Sequence, residues 1–444
     1  MSEQPQLLRD GGRVAVVGAG MAGLTAAYRV LQGGGTPVVF EADDSVGGRT
    51  NTTEKQGYII DSGAILLSPR YKRTMALIKD LRLGPQFVAS RPVLSIVRDG
   101  VVHEIDLARP MVSFLRSAVL SGRAKLALVR LLPDLLRYWQ RCHFRSMGEL
   151  AALDHETCRS YALRVLGQEL HDYLVEPLIR VNMFTSSDRA CAADLIWLLR
   201  IFSHPVVMQS RGGMQVLPSA LAGKLDVRLN SPVSRVTNEG QGVMLAFGEG
   251  QTARFDAAII AVPPPVALAI APWISGPRRA FFSAARPVRS VAVSLGLSRI
   301  PEGKSSMIMV PSLEQTDLLA IVFSHRKSAD RAPKGKGLVT LHMRHAWAER
   351  VAGDSNEAVA RQAMEAARPI LGDLAPLVEM VHVKHWQYVD SERKTGCYHA
   401  LARMLEQPPE HRVCFAGEYI SAGVEGAVIS GENAAATVLR WQRG

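Results

Sequence analysis

The stretch that most constrains this chain is residues 13–24, RVAVVGAGMAGL, a β-branched apolar run that breaks into Gly18, Gly20 and Gly23. The pattern predicts a strand, a tight turn and a helix. Gly18 permits the turn, Gly20 lets the backbone approach a pyrophosphate, and Gly23 lets the helix lie close to the strand. The phosphates then meet free N–H groups at the positive end of the helix. A second predicted strand, TPVVFE, ends in Glu41, 21 residues beyond Gly20. A carboxylate there accepts hydrogen bonds from adenosine ribose hydroxyls and repels a 2′-phosphate, which disfavours NADP. On this motif alone NAD and FAD both stay open.

With 444 residues and 47% hydrophobic content, the chain is long enough for two domains or for one interleaved with another. The net charge of +11 comes from Lys and Arg spread along the chain, with no nucleic-acid motif beside them. The charge points to acidic surfaces or anionic substrates and not to nucleic acid. Cys142, Cys158, Cys191, Cys397 and Cys414 show no CxxC spacing, and nothing like a signal peptide precedes the first strand, so a reducing cytoplasm is expected. No run of about 18 apolar residues predicts a membrane span, whereas lying on a membrane surface is left open.

After Glu41, ADDSVGGRT offers a second turn at Gly47 and Gly48, and Arg49 is suited to bridging phosphate oxygens. GYIIDSGAILLSP (57–69) predicts a strand running into Asp61, Ser62, Gly63 and Ala64, small enough to admit a flat ring. From about Arg70 to Phe202 the spacing of Leu and Val predicts mostly amphipathic helix, with Pro133 at a boundary or kink. The basic, Leu-rich stretch 111–139 suits an ordinary two-faced helix, a helix on a membrane surface, or a cover over a hydrophobic pocket. Arg180 and Asn182, embedded in apolar sequence, line a pocket or snorkel to the surface.

Strands return at 226–240 and 242–265, the latter ending AAIIAVPPP. Further strands are predicted at VRSVAVSLGLS, LVTLHMRH and LVEMVHVKHW, with a helix at 356–372. The strand HRVCFAGEYI and a small-residue helix at 423–441 follow. His342 and His345, like His382 and His385, are three apart on predicted strands, which turns the rings to opposite faces and away from any shared metal. The expected fold is α/β. A Rossmann-like dinucleotide-binding domain (1–70, 206–272 and 391–444) is interleaved with a mixed-sheet and helical substrate domain (71–205, the helical part, and 273–390).

The GxGxxG with Glu41, the GGR at 47–49, the DSGA at 61–64, the AVPPP, and the FAGE followed by GVEGAVISG together resemble the flavin-containing amine oxidase superfamily. That group includes monoamine, polyamine, L-amino-acid and protoporphyrinogen oxidases and, more distantly, carotenoid desaturases. The resemblance implies FAD, and makes the Rossmann-like domain the FAD-binding one. It implies that Gly18, Gly20, Met21, Ala22 and Gly23 hold the pyrophosphate, Glu41 the ribose, and Gly48 and Arg49 the phosphate or flavin region. Gly63 and Ala64 would lie beside the isoalloxazine, and Val233 would contact adenine through its backbone. Gly417 and Glu418 would approach the ribityl or pyrophosphate oxygens. Val424 and Ala427 would start a last helix whose positive end faces the flavin N1 and C2 carbonyl.

The chain also departs from the pattern. Val293 matches the strand position where amine oxidases carry a lysine, and Gly423 matches one wall of their aromatic cage. Tyr398, in TGCYHA, matches the other wall. Cys397 matches the cysteine that monoamine oxidases bond to the flavin C8 methyl, with an unmodified thiol and noncovalent FAD as the alternative. Arg180, Tyr398 and Trp386 are pocket candidates, and no general base is identified. The function implied is an oxidase or dehydrogenase that takes a hydride from a C–N or C–C bond of a mostly apolar or amine-bearing small molecule. O2 or another acceptor would receive the electrons. A monoamine-oxidase-like enzyme, a protoporphyrinogen-oxidase-like or desaturase-like enzyme, and a non-redox isomerase, cyclase or binding protein with structural FAD are the alternatives.

Overall fold

The computed structural model describes residues 12–443 except 146 and 241, so the stretch before the first strand lies outside the described residues. Val14–Val17 is buried on both faces, which is possible only for a central strand covered above and below. It is the middle of a five-stranded parallel sheet. The order is Val413–Phe415, Ala257–Ile260, Arg13–Val17, Thr36–Phe40, Asp226–Arg228. Three separated stretches of chain therefore supply one sheet. The first helix, Met21–Gln32, packs along the closing helix, Gly423–Arg443. They approach so closely that a Cβ at Gly431 would overlap the Ala22 carbonyl oxygen. A three-stranded antiparallel sheet, Val233–Asn238, Val243–Phe247 and Thr252–Phe255, lies between the Asp226–Arg228 and Ala257–Ile260 strands in sequence.

A second large sheet has seven strands. They run Val378–Ser391, Pro287–Leu297, Gly337–Met343, Leu318–Phe323, Met307–Met309, Val93–Arg98, Val101–Asp106. Its two faces have different duties because side chains alternate along each strand. Val291, Val293, Leu295 and Leu297 form a core with Trp347, Val359 and Ala363 of helices His345–Arg350 and Asn356–Leu371. Ser290, Ala292, Ser294 and Gly296 occupy the other face. There the Tyr58 ring lies over the strand, and a Cβ at Gly296 would fall 2.6 Å from it.

The segment 71–205 is less helical than its composition predicts. Phe87–Ser90 pairs with Val207–Ser210, and Val93–Arg98 and Val101–Asp106 form a hairpin that extends the seven-stranded sheet. Asp99 and Gly100, at φ 52° and 72°, supply the two left-handed residues that a tight hairpin turn needs. Helices take over from Pro110 onward.

Candidate functional site

The site begins at the glycine turn. Gly18 sits at φ 101°, where a Cβ would come 2.7 Å from the Ala261 carbonyl oxygen, and a Cβ at Gly23 would overlap the Gly18 carbonyl oxygen. Both positions need glycine for the strand, turn and helix to nest. At Gly20 a Cβ would meet nothing within 4 Å, so this side of the turn is open. Gly20 is also the N-cap of the first helix, and no side chain caps it. The N–H groups of the first turn, which holds the buried Met21, Ala22 and Gly23, are thus available to anionic oxygens. Glu41 is fixed beside them, its Oε2 accepting the Ala19 N–H at 2.6 Å and its Oε1 the Asp43 N–H at 3.1 Å. Unpartnered first-turn N–H groups and a fixed carboxylate thus share one open turn.

The GGR turn lies against the same loop, with the Gly47 N–H donating to the Ala19 carbonyl at 2.9 Å and Gly48 at φ 53°. Arg49 then reaches 369 residues along the chain to Glu418, its Nη1 donating to Oε1 at 2.7 Å and its Nη2 to Oε2 at 2.5 Å. Nη1 also donates to the Val389 carbonyl at 3.2 Å, and the guanidinium lies 5.3 Å from the Tyr388 ring centre. Burial disfavours both charges, but their attraction outweighs it. Arg49 is pushed further up, and the Glu418 carboxyl is held below its ordinary range. Arg49 keeps 31% of its side-chain surface exposed against 12% for Glu418.

Gly417 is pinned by its N–H to Ser430 Oγ at 2.8 Å, and a Cβ there would overlap the Tyr419 ring. The closing helix begins at Gly423, φ 77°, and its first turn carries Val424, buried, and Ala427, half-buried. Sequence reasoning missed Glu425 between them. It is buried and accepts the N–H groups of Arg73 and Thr74, each at 2.8 Å, and the Thr74 hydroxyl at 2.6 Å. It thereby caps the helix Lys72–Asp80, whose own N-cap, Tyr71, offers no side-chain acceptor bond. Val233 starts its strand opposite Phe247, half-buried.

Gly63, Ala64 and Trp386 come together with Arg49. The Ala64 N–H donates to the Arg49 carbonyl at 2.8 Å, and a Cβ at Gly63 would overlap that same oxygen and come 3.3 Å from the Trp386 ring. Trp386 Nε1 donates to the Ser62 carbonyl at 3.1 Å. The junction between the nucleotide half and the seven-stranded sheet is built here.

Other candidates stand elsewhere. Arg180 does not snorkel to the surface. It is buried, donating to the carbonyls of Val310 at 2.9 Å and Thr316 at 2.6 Å beside Glu176, which ties the helix Glu176–Met183 to the seven-stranded sheet. Tyr398 is 2% exposed and its hydroxyl donates to Asp194. Asp154 accepts the N–H groups of Gly396 at 2.6 Å and Tyr398 at 2.7 Å. The TGCYHA stretch is thus the anchored start of a helix, Cys397–Leu405, with Tyr398 as the anchor. Cys397 borders a cavity of about 50 Å³ with Arg393, Tyr398 and Tyr419. Burial, and then Asp194 and Asp154, push its thiol well up. Val293 faces the core under the Asn356–Leu371 helix, and Ala292 is the residue on the side of the nucleotide half.

A buried polar cluster behind the DSGA strand left no mark in the sequence pattern. Asp61 pairs with Arg331 at 2.9 Å, both side chains fully enclosed, and also accepts the Thr52 hydroxyl at 2.7 Å. Lys327 is buried, with its Nζ lacking any hydrogen-bond partner, and burial pushes its amine down to about 7 despite Asp61. His342 Nε2 is likewise unpartnered, and burial followed by Lys327 pushes its imidazole down to about 4.

The family described as flavin containing amine oxidoreductase matches residues 21–439. The chain belongs to that family. FAD is accordingly its cofactor, and the uncapped helix, Glu41 and the Arg49–Glu418 pair fit one. In sequence, protoporphyrinogen oxidase 2 of Arabidopsis thaliana is 36% identical over 172 residues, covering 38% of this chain and 32% of the plant protein. The match therefore spans about a third of that relative's length. In structure, the cyclohexylamine oxidase of Brevibacterium oxydans IH-35A superposes with a TM-score of 0.74 at 18% identity, covering 98% of this chain and 100% of that one. A CLA-producing fatty acid isomerase of P. acnes superposes with a TM-score of 0.71 at 15% identity, covering 96% and 99%. At such identities these likenesses speak for the fold. No helix among the described residues is long and apolar enough to cross a membrane.

Proposed function

We propose that the chain is an FAD-dependent oxidase or dehydrogenase that takes a hydride from a C–N or C–C bond of a mostly apolar small molecule and passes the electrons to O2 or another acceptor. The observation that carries this reading is the convergence of the uncapped first helix, Glu41 and the Arg49–Glu418 pair across 369 residues. Bound FAD supplies the hydride acceptor. The chain's own residues do the rest. The first-turn N–H groups and Arg49 hold the diphosphate, Glu41 orients the ribose, and Gly48 and Gly417 let those side chains reach it. Gly63, Ala64 and Trp386 flank the ring, Val233 holds the adenine end, and Val424 and Ala427 bring the positive end of the closing helix to it. Lys327 Nζ and His342 Nε2, both unpartnered, are the groups on that side able to take up a proton. All five cysteines are free, in keeping with a reducing cytoplasm.

Ala292 on the inward strand face, Gly423 at the helix start and an enclosed Tyr398 give little of an amine cage. They favour a protoporphyrinogen-oxidase-like or desaturase-like reaction over a monoamine-oxidase-like one. Peroxide release and anaerobic flavin bleaching, measured with amines, porphyrinogens and polyenes, separate the readings. Bleaching by porphyrinogens or polyenes is expected, peroxide with amines alone would reverse the preference, and a flavin bleached by nothing would favour the isomerase or binding alternative. Acid precipitation is expected to release the yellow colour into the supernatant, because its surroundings hold the half-buried Cys397 thiol well above its ordinary range, in the unreactive protonated form. Colour retained in the pellet would establish a bond to Cys397.

A further inference from the structure

We infer that the cleft between the strand Val413–Phe415, the helix Cys397–Leu405 and the closing helix Gly423–Arg443 is a second ligand site, for a small amphipathic molecule bearing one carboxylate. The fold makes the space. Val413–Phe415 is the last strand of the five-stranded sheet, so no further strand covers its outer edge. The closing helix lines that side with Ser430, Ala434 and Thr437, four and three residues apart and hence on one face. Side chains so small do not fill the gap. What remains is a cavity of about 370 Å³, a size that suits a small molecule. Met404, Leu405, Phe415 and Ile420 give it an apolar wall. That wall is held in place, since the Met147 N–H donates to the Ile420 carbonyl at 3.2 Å and the Gly417 N–H to Ser430 Oγ at 2.8 Å. The cavity is also separate from the flavin site. Glu418 pairs with Arg49, whereas Tyr419, the next residue, lines the cavity.

Charge decides what enters it. Two arginines and no carboxylate line the cavity, and the two are not equivalent. Arg278 is buried and fully engaged. It pairs with Glu410 and donates to the carbonyls of Pro408 at 3.0 Å and Gln407 at 3.4 Å, so it shapes the wall and brings no net charge. Arg145 is exposed, and among the described residues no carboxylate pairs with it. One unpaired guanidinium beside a mainly apolar cleft selects a molecule with one anionic end and an apolar body. A cation would be repelled, and a dianion would bring a second charge that finds no partner. An anionic ligand is also what the chain's net charge of +11 attracts.

The test is isothermal titration calorimetry of the full FAD-loaded chain with decanoate, kept below its micelle concentration, beside decan-1-ol and decyltrimethylammonium, which carry the same tail. Decanoate is expected to bind at least about tenfold tighter than either of the others, and to weaken as salt rises. R145E, which reverses the charge, and T437W, which fills the cleft with an indole, are each expected to lose about tenfold in decanoate affinity while keeping flavin content and thermal midpoint. The inference is overturned by no decanoate binding or by equal affinity for the alcohol. It is also overturned by unchanged decanoate binding in either variant, which would place the bound molecule elsewhere, the substrate pocket beside the flavin included. Should T437W lose its flavin, R145E and the salt dependence decide the matter, since Arg145 is exposed and pairs with no carboxylate among the described residues.

Discussion

Replacing Arg49 by alanine is expected to destabilise the protein by about 3 kcal/mol and to strip it of flavin. The stability loss follows from what stays behind. Glu418, 12% exposed, would lose both of its guanidinium bonds and remain charged in a site that excludes water. The flavin loss follows from the missing guanidinium, the proposed ligand of the FAD diphosphate. Denaturant unfolding measures the first effect, and the flavin-to-protein absorbance ratio after gel filtration measures the second. The double variant R49A/E418A separates them. Removing both charges is expected to restore most of the stability without restoring the flavin, because the orphaned carboxylate is gone but the phosphate ligand is not. Equal instability in the single and double variants would show that the pair is not coupled.

Lys327→Met is expected to stabilise the protein, by an amount that depends on pH. The amine falls from 10.5 to about 7 on folding. Between those values the unfolded chain binds a proton that the folded chain does not, so acid favours unfolding and stability is lost as pH falls from 10.5 to 7. Methionine fills the space without the proton. The gain over the unsubstituted protein is expected to grow by about 1.4 kcal/mol per pH unit on going down through that window and then to level off below it, reaching on the order of 5 kcal/mol. Urea midpoints of the two proteins across the alkaline range provide the measurement. Parallel curves would mean that Lys327 Nζ finds a partner in solution. A loss of turnover in the stabilised variant would mark the buried amine as a strained functional group, the usual reason for keeping one.

The nucleotide half was legible because its signals are local. Gly18, Gly20, Gly23 and Glu41 lie within one strand, turn, helix and strand unit, with Gly18 and Gly23 required by close backbone contacts and Gly20 leaving the turn open. Arg49 and Glu418 stand out in sequence only one at a time, and nothing in either neighbourhood shows that they bind one another. Val293 points into the core, and the face it takes depends on a register that one residue reverses, which the stretch itself does not fix. The hairpin at Asp99–Gly100 carried its own turn signal, overshadowed by the Leu- and Arg-rich helices that follow. Tyr398 and Arg180 depend on partners far away in sequence, Asp194 and the carbonyls of Val310 and Thr316, so their burial could not be read from their own stretches. The buried pair Asp61–Arg331 with Lys327 looks, in sequence, like charges on a loop.

The order in which the five-stranded sheet is assembled has a consequence for how the chain matures. Its strand Val413–Phe415 and the closing helix are made long after the first strand and helix they cover. Until they leave the ribosome, one edge of Ala257–Ile260 is unpaired and the side of the first helix that meets Gly431 is bare. Folding from the amino end cannot finish the nucleotide half. Its completion waits until the helix Gly423–Arg443 has been made and then requires a long-range docking step, the slow and aggregation-exposed kind.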